Sequence, residues 1–162
     1  MSRNAPTVAA AIQQTKPFAS KRQEGTIALF LTAEAVRWRF ARLLASRGEL
    51  TVQQYNVLRI LRGAGAVGLP TLSIVERMIE HTPGITRLID RLESKGLVTR
   101  SRAAEDRRQV LCRISARGLA ELKALDPLLD DADQDALSAL NEQEVATLIR
   151  LLNKVRTSQP QA

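Results

Sequence analysis

Between Pro70 and Ser115 the chain carries two short helical stripes, a tight turn, and two strand-like runs around a charged connection. Pro70 suits the first turn of a helix whose inner positions are Leu72, Ile74, Val75, Met78 and Ile79. Glu80-His-Thr-Pro83 then reads as a turn, with Thr82 as N-cap and Pro83 at the first helical position of a helix running to Lys95 and closing on Gly96. Leu97–Ser101 and Val110–Ile114 read as strands, the second with Val110, Cys112 and Ile114 on one face. The residues between them, Arg102 to Gln109, are charged and lack a helical stripe. Helix, turn, helix and a hairpin with a long polar tip make a winged helix-turn-helix lobe, so the fold class is mainly α (α+β).

The flanks add helices. Over residues 24–46 one apolar row runs through Ile27, Leu31, Trp38, Ala41 and Ala45, and a second through Leu29, Val36, Phe40 and Leu43. Two rows make a helix buried on more than one side, which a single domain of this size rarely covers, so a partner helix or second subunit is implied. Gly48 is expected to end it as a C′ glycine. Thr51-Val-Gln-Gln54 is a capping-box pattern opening a helix with Tyr55, Leu58 and Leu61 at helical spacing. Ser115 caps a helix through Leu119, Leu122, Leu125, Leu128 and Leu129, which Pro127 should kink. Asn141-Glu-Gln-Glu144 caps a last helix with Val145, Leu148, Leu152 and Val155 in line. The expected division is a flexible basic tail over 1–22, one domain over 23–157 and a short tail over 158–162. Within that domain, about 51–115 form the lobe.

The 162 residues carry 24 Lys plus Arg against 17 Asp plus Glu, a net of +7. The excess is uneven: residues 51–120 hold 12 basic and 6 acidic groups, residues 121–162 only 4 and 8. A polyanion partner for the lobe follows. Cys112 is the single cysteine and His81 the single histidine. A disulfide framework and a cysteine zinc site are thereby excluded, no nucleophile–base pair or metal cluster is legible, and no cofactor is expected. No apolar run approaches a membrane span and no secretory signal is visible, so the expected location is the cytoplasm, with no membrane partner.

At about 100° per residue, Ile85, Leu88, Ile89 and Leu92 fall in a narrow arc facing the core. The outward arc holds Arg87, Asp90, Arg91 and Ser94, flanked by Gly84 and Thr86. Thr82, Pro83, Gly84, Thr86 and Arg87 therefore lie outward at the start of the second helix, where a recognition helix meets base edges in the major groove. Arg87 has the fork that matches guanine O6 and N7, Thr86 is expected to join it on the bases, and Gly84 lets the backbone approach closely. At the hairpin tip Asp106 precedes Arg107 and Arg108. Arg108 suits a narrow minor groove, with Asp106 placed to hold it, while Arg107, Arg102 and Arg91 are expected on phosphates.

Leu50-Thr-Val-Gln-Gln-Tyr55, Thr82-Pro-Gly-Ile-Thr-Arg-Leu-Ile-Asp-Arg-Leu-Glu-Ser-Lys-Gly-Leu-Val98, Asp106-Arg-Arg108 and Ile114-Ser-Ala-Arg-Gly118 together resemble the MarR (multiple antibiotic resistance regulator) family of winged-helix transcription factors. With the flanking helices the resemblance covers about residues 24–157. It implies a homodimer whose N- and C-terminal helices, about 24–46 and 116–157, intertwine as a dimerisation region. Two lobes would then meet successive major grooves of a pseudo-palindromic operator in double-stranded DNA. It also implies a repressor released by a small aromatic or phenolic effector, with Tyr55 as the candidate ligand-binding residue.

Other features read more plainly. Cys112 alternates with Val110 and Ile114 as a buried structural thiol does, and helix 24–46 has no cysteine of the kind the family's peroxide sensors use. Asp131, Asp133, Asp135 and Glu142 have calcium-loop spacing, but Ala136 stands where such a loop needs glycine, so a solvated acidic connection is expected. Trp38 and Phe40 suit a dimer core, and His81 a turn. Two other readings keep the fold: a constitutive or architectural DNA-binding protein without a ligand switch, and a winged-helix protein-interaction module with little affinity for DNA.

Overall fold

The computed structural model describes residues 7–80, 83–102 and 109–159. Two compact units are distinguished, Met1–Phe40 and Ala41–Ala162. In the first, Val8–Ala11 form a helical turn, α1, whose Thr7 hydroxyl accepts from the Ala10 N–H. The long helix α2, Lys21–Arg47, starts there and ends in the second unit. It begins three residues earlier than its apolar rows suggest. The Ser20 hydroxyl accepts from the Gln23 N–H and the Gln23 side chain accepts from the Ala19 N–H, a reciprocal cap with no apolar signature. Phe30 and Trp38 of α2 are exposed.

The second unit holds the lobe. Helix α3, Val52–Ala64, opens on the expected capping box, with Thr51 and Gln54 each accepting from the other's N–H. Gly65–Val67 form a 3-10 turn, and Leu69–Pro70 form a short strand, β1. Then come α4 (Thr71–Val75), α5 (Ile85–Ser94), β2 (Val98–Arg102) and β3 (Val110–Ile114). The sheet is antiparallel in the order β1-β3-β2, with Val98 opposite Ile114 and Arg100 opposite Cys112. Helices α6 (Ala116–Ala136) and α7 (Glu142–Thr157) complete the chain. Leu58, Leu61, Ile74, Ile89, Leu92, Val98, Cys112 and Leu122 form the core, each essentially without solvent exposure. Among the described residues no helix is long and apolar enough to cross a membrane.

Several local expectations are corrected. The second helix of the motif does not start at Pro83: Gly84 takes φ +83°, outside helical geometry, and α5 begins at Ile85. Helix α4 stops at Val75, so Met78 and Ile79 lie beyond it. Only Ile74 of its five anticipated inner residues is fully buried, and Leu72 and Ile79 are each 77 % exposed. Pro70 is extended and pairs with Leu111 before it caps α4. At the end of α2 the left-handed residue is Glu49, φ +48°, rather than Gly48. Gly48 is closely packed instead: a Cβ there would stand 2.8 Å from Glu121 Oε1 and 3.2 Å from Leu125 Cδ1, so those side chains would have to shift. Asp131–Asp135 are helical, not a connection, and α6 runs through Pro127 to Ala136. A helical run does not wrap these carboxylates around one ion as a calcium loop does.

The Ser-x-x-Gly run at the start of α6 has a structural cause. Ser115 Oγ accepts from the Gly118 N–H at 3.0 Å and donates to the Gly96 carbonyl at 2.7 Å. Its N–H donates to the Leu97 carbonyl at 3.0 Å. Gly118 lies against that same carbonyl, so closely that a Cβ would overlap it and stand 2.7 Å from Ile114 Cγ1. Gly96 ends α5 in the left-handed region, φ +70°, with its own N–H on the Glu93 carbonyl and the Leu97 N–H on that of Leu92. One small knot of residues thus joins the end of α5, the start of β2 and the start of α6.

Candidate nucleic-acid interface

Helix α5 buries Ile89 and Leu92 and exposes Thr86, Arg87, Asp90, Arg91 and Ser94, as its angular pattern requires. Pro83 and Gly84 are exposed at its start. Among the described residues no side chain caps the helix N-terminus. The first-turn N–H groups and the positive end of the helix dipole are thus presented beside Arg87, an arrangement that attracts a phosphate. Thr82 and His81 lie outside the described residues, as do Asp106, Arg107 and Arg108 at the hairpin tip.

The base of the hairpin is ordered by arginines whose partners the sequence does not reveal. Arg100, central in β2, donates to Asp90 Oδ1 at 2.7 Å and Glu93 Oε2 at 2.5 Å. Its Nε also donates to Glu93 Oε2, at 2.8 Å. These two carboxylates, Glu93 foremost, hold the guanidinium proton more firmly than usual. On the other face of the hairpin, Arg113 Nε donates to the Ala66 carbonyl at 2.8 Å and its Nη1 to Ser101 Oγ. Arg102 is exposed at the end of β2. It shares a strand face with Arg100 and lies roughly 6–7 Å further along. The structure therefore brings Arg87, Arg91 and Arg102 onto two elements that Arg100 joins.

Tyr55 lies on α3, half-buried. Burial raises its phenol above the usual range, opposed by the nearby charges of Arg59 and Arg62. Arg62 donates to both carboxylate oxygens of Asp126 on α6, at 2.9 and 2.7 Å. A neutral phenol bordered by cations and a carboxylate can donate to, and stack on, an aromatic acid. Two further side chains of α3 reach toward the turn before α5: Gln53 Nε2 donates to Glu80 Oε2 at 3.0 Å, and Asn56 Nδ2 to Met78 Sδ at 3.6 Å.

Cys112 is fully buried, and burial pushes its thiol up, only partly offset by the Thr71 hydroxyl 4.0 Å away. A buried, protonated thiol is a poor nucleophile. Iodoacetamide is expected to leave Cys112 unmodified in the native protein over times in which it alkylates the guanidinium-unfolded chain completely. Mass spectrometry reads both, and comparable native labelling would overturn the buried-thiol assignment.

The family model described as MarR family matches residues 50–110, the segment that holds α3 to the start of β3. The chain is similar to a MarR transcription factor from Planctomyces limnophilus, at 38 % identity over 85 % of this chain and 98 % of that one, with a TM-score of 0.65. It is also similar to a mutant of MarR from E. coli, solved in complex with operator DNA: 28 % identity, 79 % and 90 % coverage, TM-score 0.72. A third relative is BpsR of Bordetella bronchiseptica, whose structure concerns regulation of DNA binding by 6-hydroxynicotinic acid; the likeness is 25 % identity over 80 % and 96 %, TM-score 0.68. From the winged lobe, the outward basic face of α5 and these likenesses over nearly whole chains, it follows that this chain belongs to the MarR family of winged-helix transcriptional regulators.

Proposed function

We propose that this protein is a homodimeric, sequence-specific repressor that binds a pseudo-palindromic operator and is released by a small aromatic or phenolic acid. The carrying observation is the exposed outer face of α5, with Thr86 and Arg87 in its first turn and Arg91 in its last, and the hairpin tied alongside by Arg100. Pro83, Gly84, Thr86 and Arg87, with Thr82 ahead of them, face base edges; Arg91, Arg102 and Arg107 meet phosphates; Arg108, held by Asp106, enters the minor groove. The operator complex of the E. coli relative supports the DNA reading. The dimer reading is supported by α7, which buries no residue and exposes Ile149, Leu151, Leu152 and Val155. A run of exposed apolar side chains of this kind is a mark of an association surface. The Bordetella relative and its 6-hydroxynicotinic acid support an effector of that class; Tyr55 is the contact proposed for it, on its half-buried phenol beside Arg59 and Arg62.

Selection of bound sequences from random duplexes tests the reading and exposes the half-site spacing. Recovery of inverted repeats, with affinity falling steeply as salt rises, is the expected outcome. No enriched sequence and a flat salt dependence would instead make the lobe a protein-interaction module. Arg108→Ala is expected to weaken operator binding several-fold with the dimer intact in sedimentation; unchanged anisotropy curves at matched salt would sink the minor-groove role. Aromatic acids are expected to raise the melting temperature, because a ligand selective for the folded state stabilises it, and a Tyr55→Phe change to reduce that rise. A panel that moves no melting curve and releases no DNA would leave a constitutive binder.

A further inference from the structure

We infer that Arg100 is a positioning residue that fixes the base of the hairpin to the recognition helix, so that the outward face of α5 and Arg102 at the end of β2 are presented to DNA together. The inference rests on the DNA-binding reading above. Arg100 stands opposite Cys112, whose side chain is in the core, so its backbone is anchored in the sheet. Its planar fork reaches out to two carboxylates one helical turn apart on α5, Asp90 and Glu93. One ion pair would set a distance; two acceptors three residues apart also set the roll of α5 relative to the strand. Arg102 ends that same strand. On the opposite face of the hairpin, Arg113 holds it to the 3-10 turn through the Ala66 carbonyl.

Two simpler roles make different predictions. As a stability element Arg100 would do little, since the three side chains are between 31 % and 50 % exposed, and solvated pairs of this kind contribute weakly. As a phosphate contact it would have to leave the carboxylates that now take up its Nε and Nη2. The decisive sign concerns the carboxylates. Asp90 and Glu93 are negative charges on a helix that faces a polyanion, so electrostatics alone predicts that neutralising them strengthens DNA binding. A positioning role predicts the opposite.

The test compares the parent dimer with R100M, R100K, D90N/E93Q and the combined R100M/D90N/E93Q. Each is titrated by anisotropy on the selected operator and on an unrelated duplex, between about 50 and 200 mM salt. R100M and D90N/E93Q should each lower operator affinity about tenfold, and the combined variant should lose no more than either, because the three groups form one linkage. Binding to the unrelated duplex should change less than about twofold and the salt slope should stay that of the parent, since no phosphate contact is removed. R100K, which keeps the charge and reaches one carboxylate, should recover part of the loss. Melting temperatures should lie within about 4 °C of the parent. The inference is overturned if D90N/E93Q binds the operator more tightly, if losses add, if both duplexes lose equally, or if R100M lowers the salt slope. A drop in melting temperature of more than about 10 °C in R100M would assign the residue to the fold instead and likewise overturn it. A parent that binds neither duplex in a salt-dependent way overturns the DNA-binding reading, and this inference with it; a parent that binds while every variant matches it overturns this inference alone.

Discussion

Gly118→Val is expected to destabilise the protein by about 3 kcal/mol or more, a large fraction of a stability that for a domain of this size is roughly 5–15 kcal/mol. A Cβ at this position overlaps the Leu97 carbonyl and crowds Ile114 Cγ1. That carbonyl cannot retreat without breaking the bond it accepts from the Ser115 N–H, on which the start of α6 depends. Gly118→Ala is the sharper comparison. Alanine gains at most about 1 kcal/mol over glycine in a helix, and less in a terminal turn such as this one, so a net loss of about 1–2 kcal/mol means the overlap outweighs propensity. Gly63 in α3 is the control, since a Cβ there meets nothing within 4 Å. Gly63→Ala should therefore raise the melting temperature by about 2–4 °C while Gly118→Ala lowers it. Equal shifts at both sites would show that the knot of α5, β2 and α6 relaxes more easily than its geometry implies.

Arg87→Ala is expected to cost operator affinity about 1–3 kcal/mol per half-site, so the symmetric dimer incurs it twice and loses roughly 30-fold to more than a thousandfold. Arg87 occupies the first exposed turn of α5 and is the side chain with the fork that matches guanine. The loss should be accompanied by relaxed selection at one position in each half-site. Arg91→Ala, one turn further along, should behave differently: a uniform loss on all sequences and a shallower salt slope, by about 0.9 per phosphate contact removed. Anisotropy titrations on operators altered at single positions separate the two. If Arg87→Ala loses affinity equally on every duplex, its side chain meets backbone rather than bases.

The readable parts of this chain were those fixed by local chemistry. Both capping boxes, Thr51 with Gln54 and Asn141 with Glu144, form as their spacing predicts. The arc of Ile89 and Leu92 is buried and that of Arg87 and Arg91 exposed, because a helix packed on one side leaves no other choice. Cys112 is buried because it alternates with neighbours on a half-covered sheet. What escaped was set by distant partners or by single backbone angles. β1 has two residues and exists only because β3 lies beside it, so it has no periodicity to read. Gly84 turns the chain out of helical geometry at a Pro-Gly pair that reads equally well as a helix start. Arg100 looks like one more basic residue at the hairpin base, since its partners are fixed by the packing of α5 on β2. Asp106, Arg107, Arg108 and Thr82 fall outside the described residues, and their roles rest on the family pattern and on the proposed interface.

The bare surface of α7 has a consequence for how firmly the molecule is held together. A sixteen-residue helix that fully buries none of its side chains, and half-buries only Val145 and Leu148, draws little protection from intramolecular packing. Its amide hydrogens should exchange rapidly in dilute protein and slowly in concentrated protein, whereas those of α3 and α5 keep one rate throughout. For the dimer proposed above, the persistence of this helix is then a mass-action quantity, set by how many copies of the regulator are present as much as by the residues that compose it.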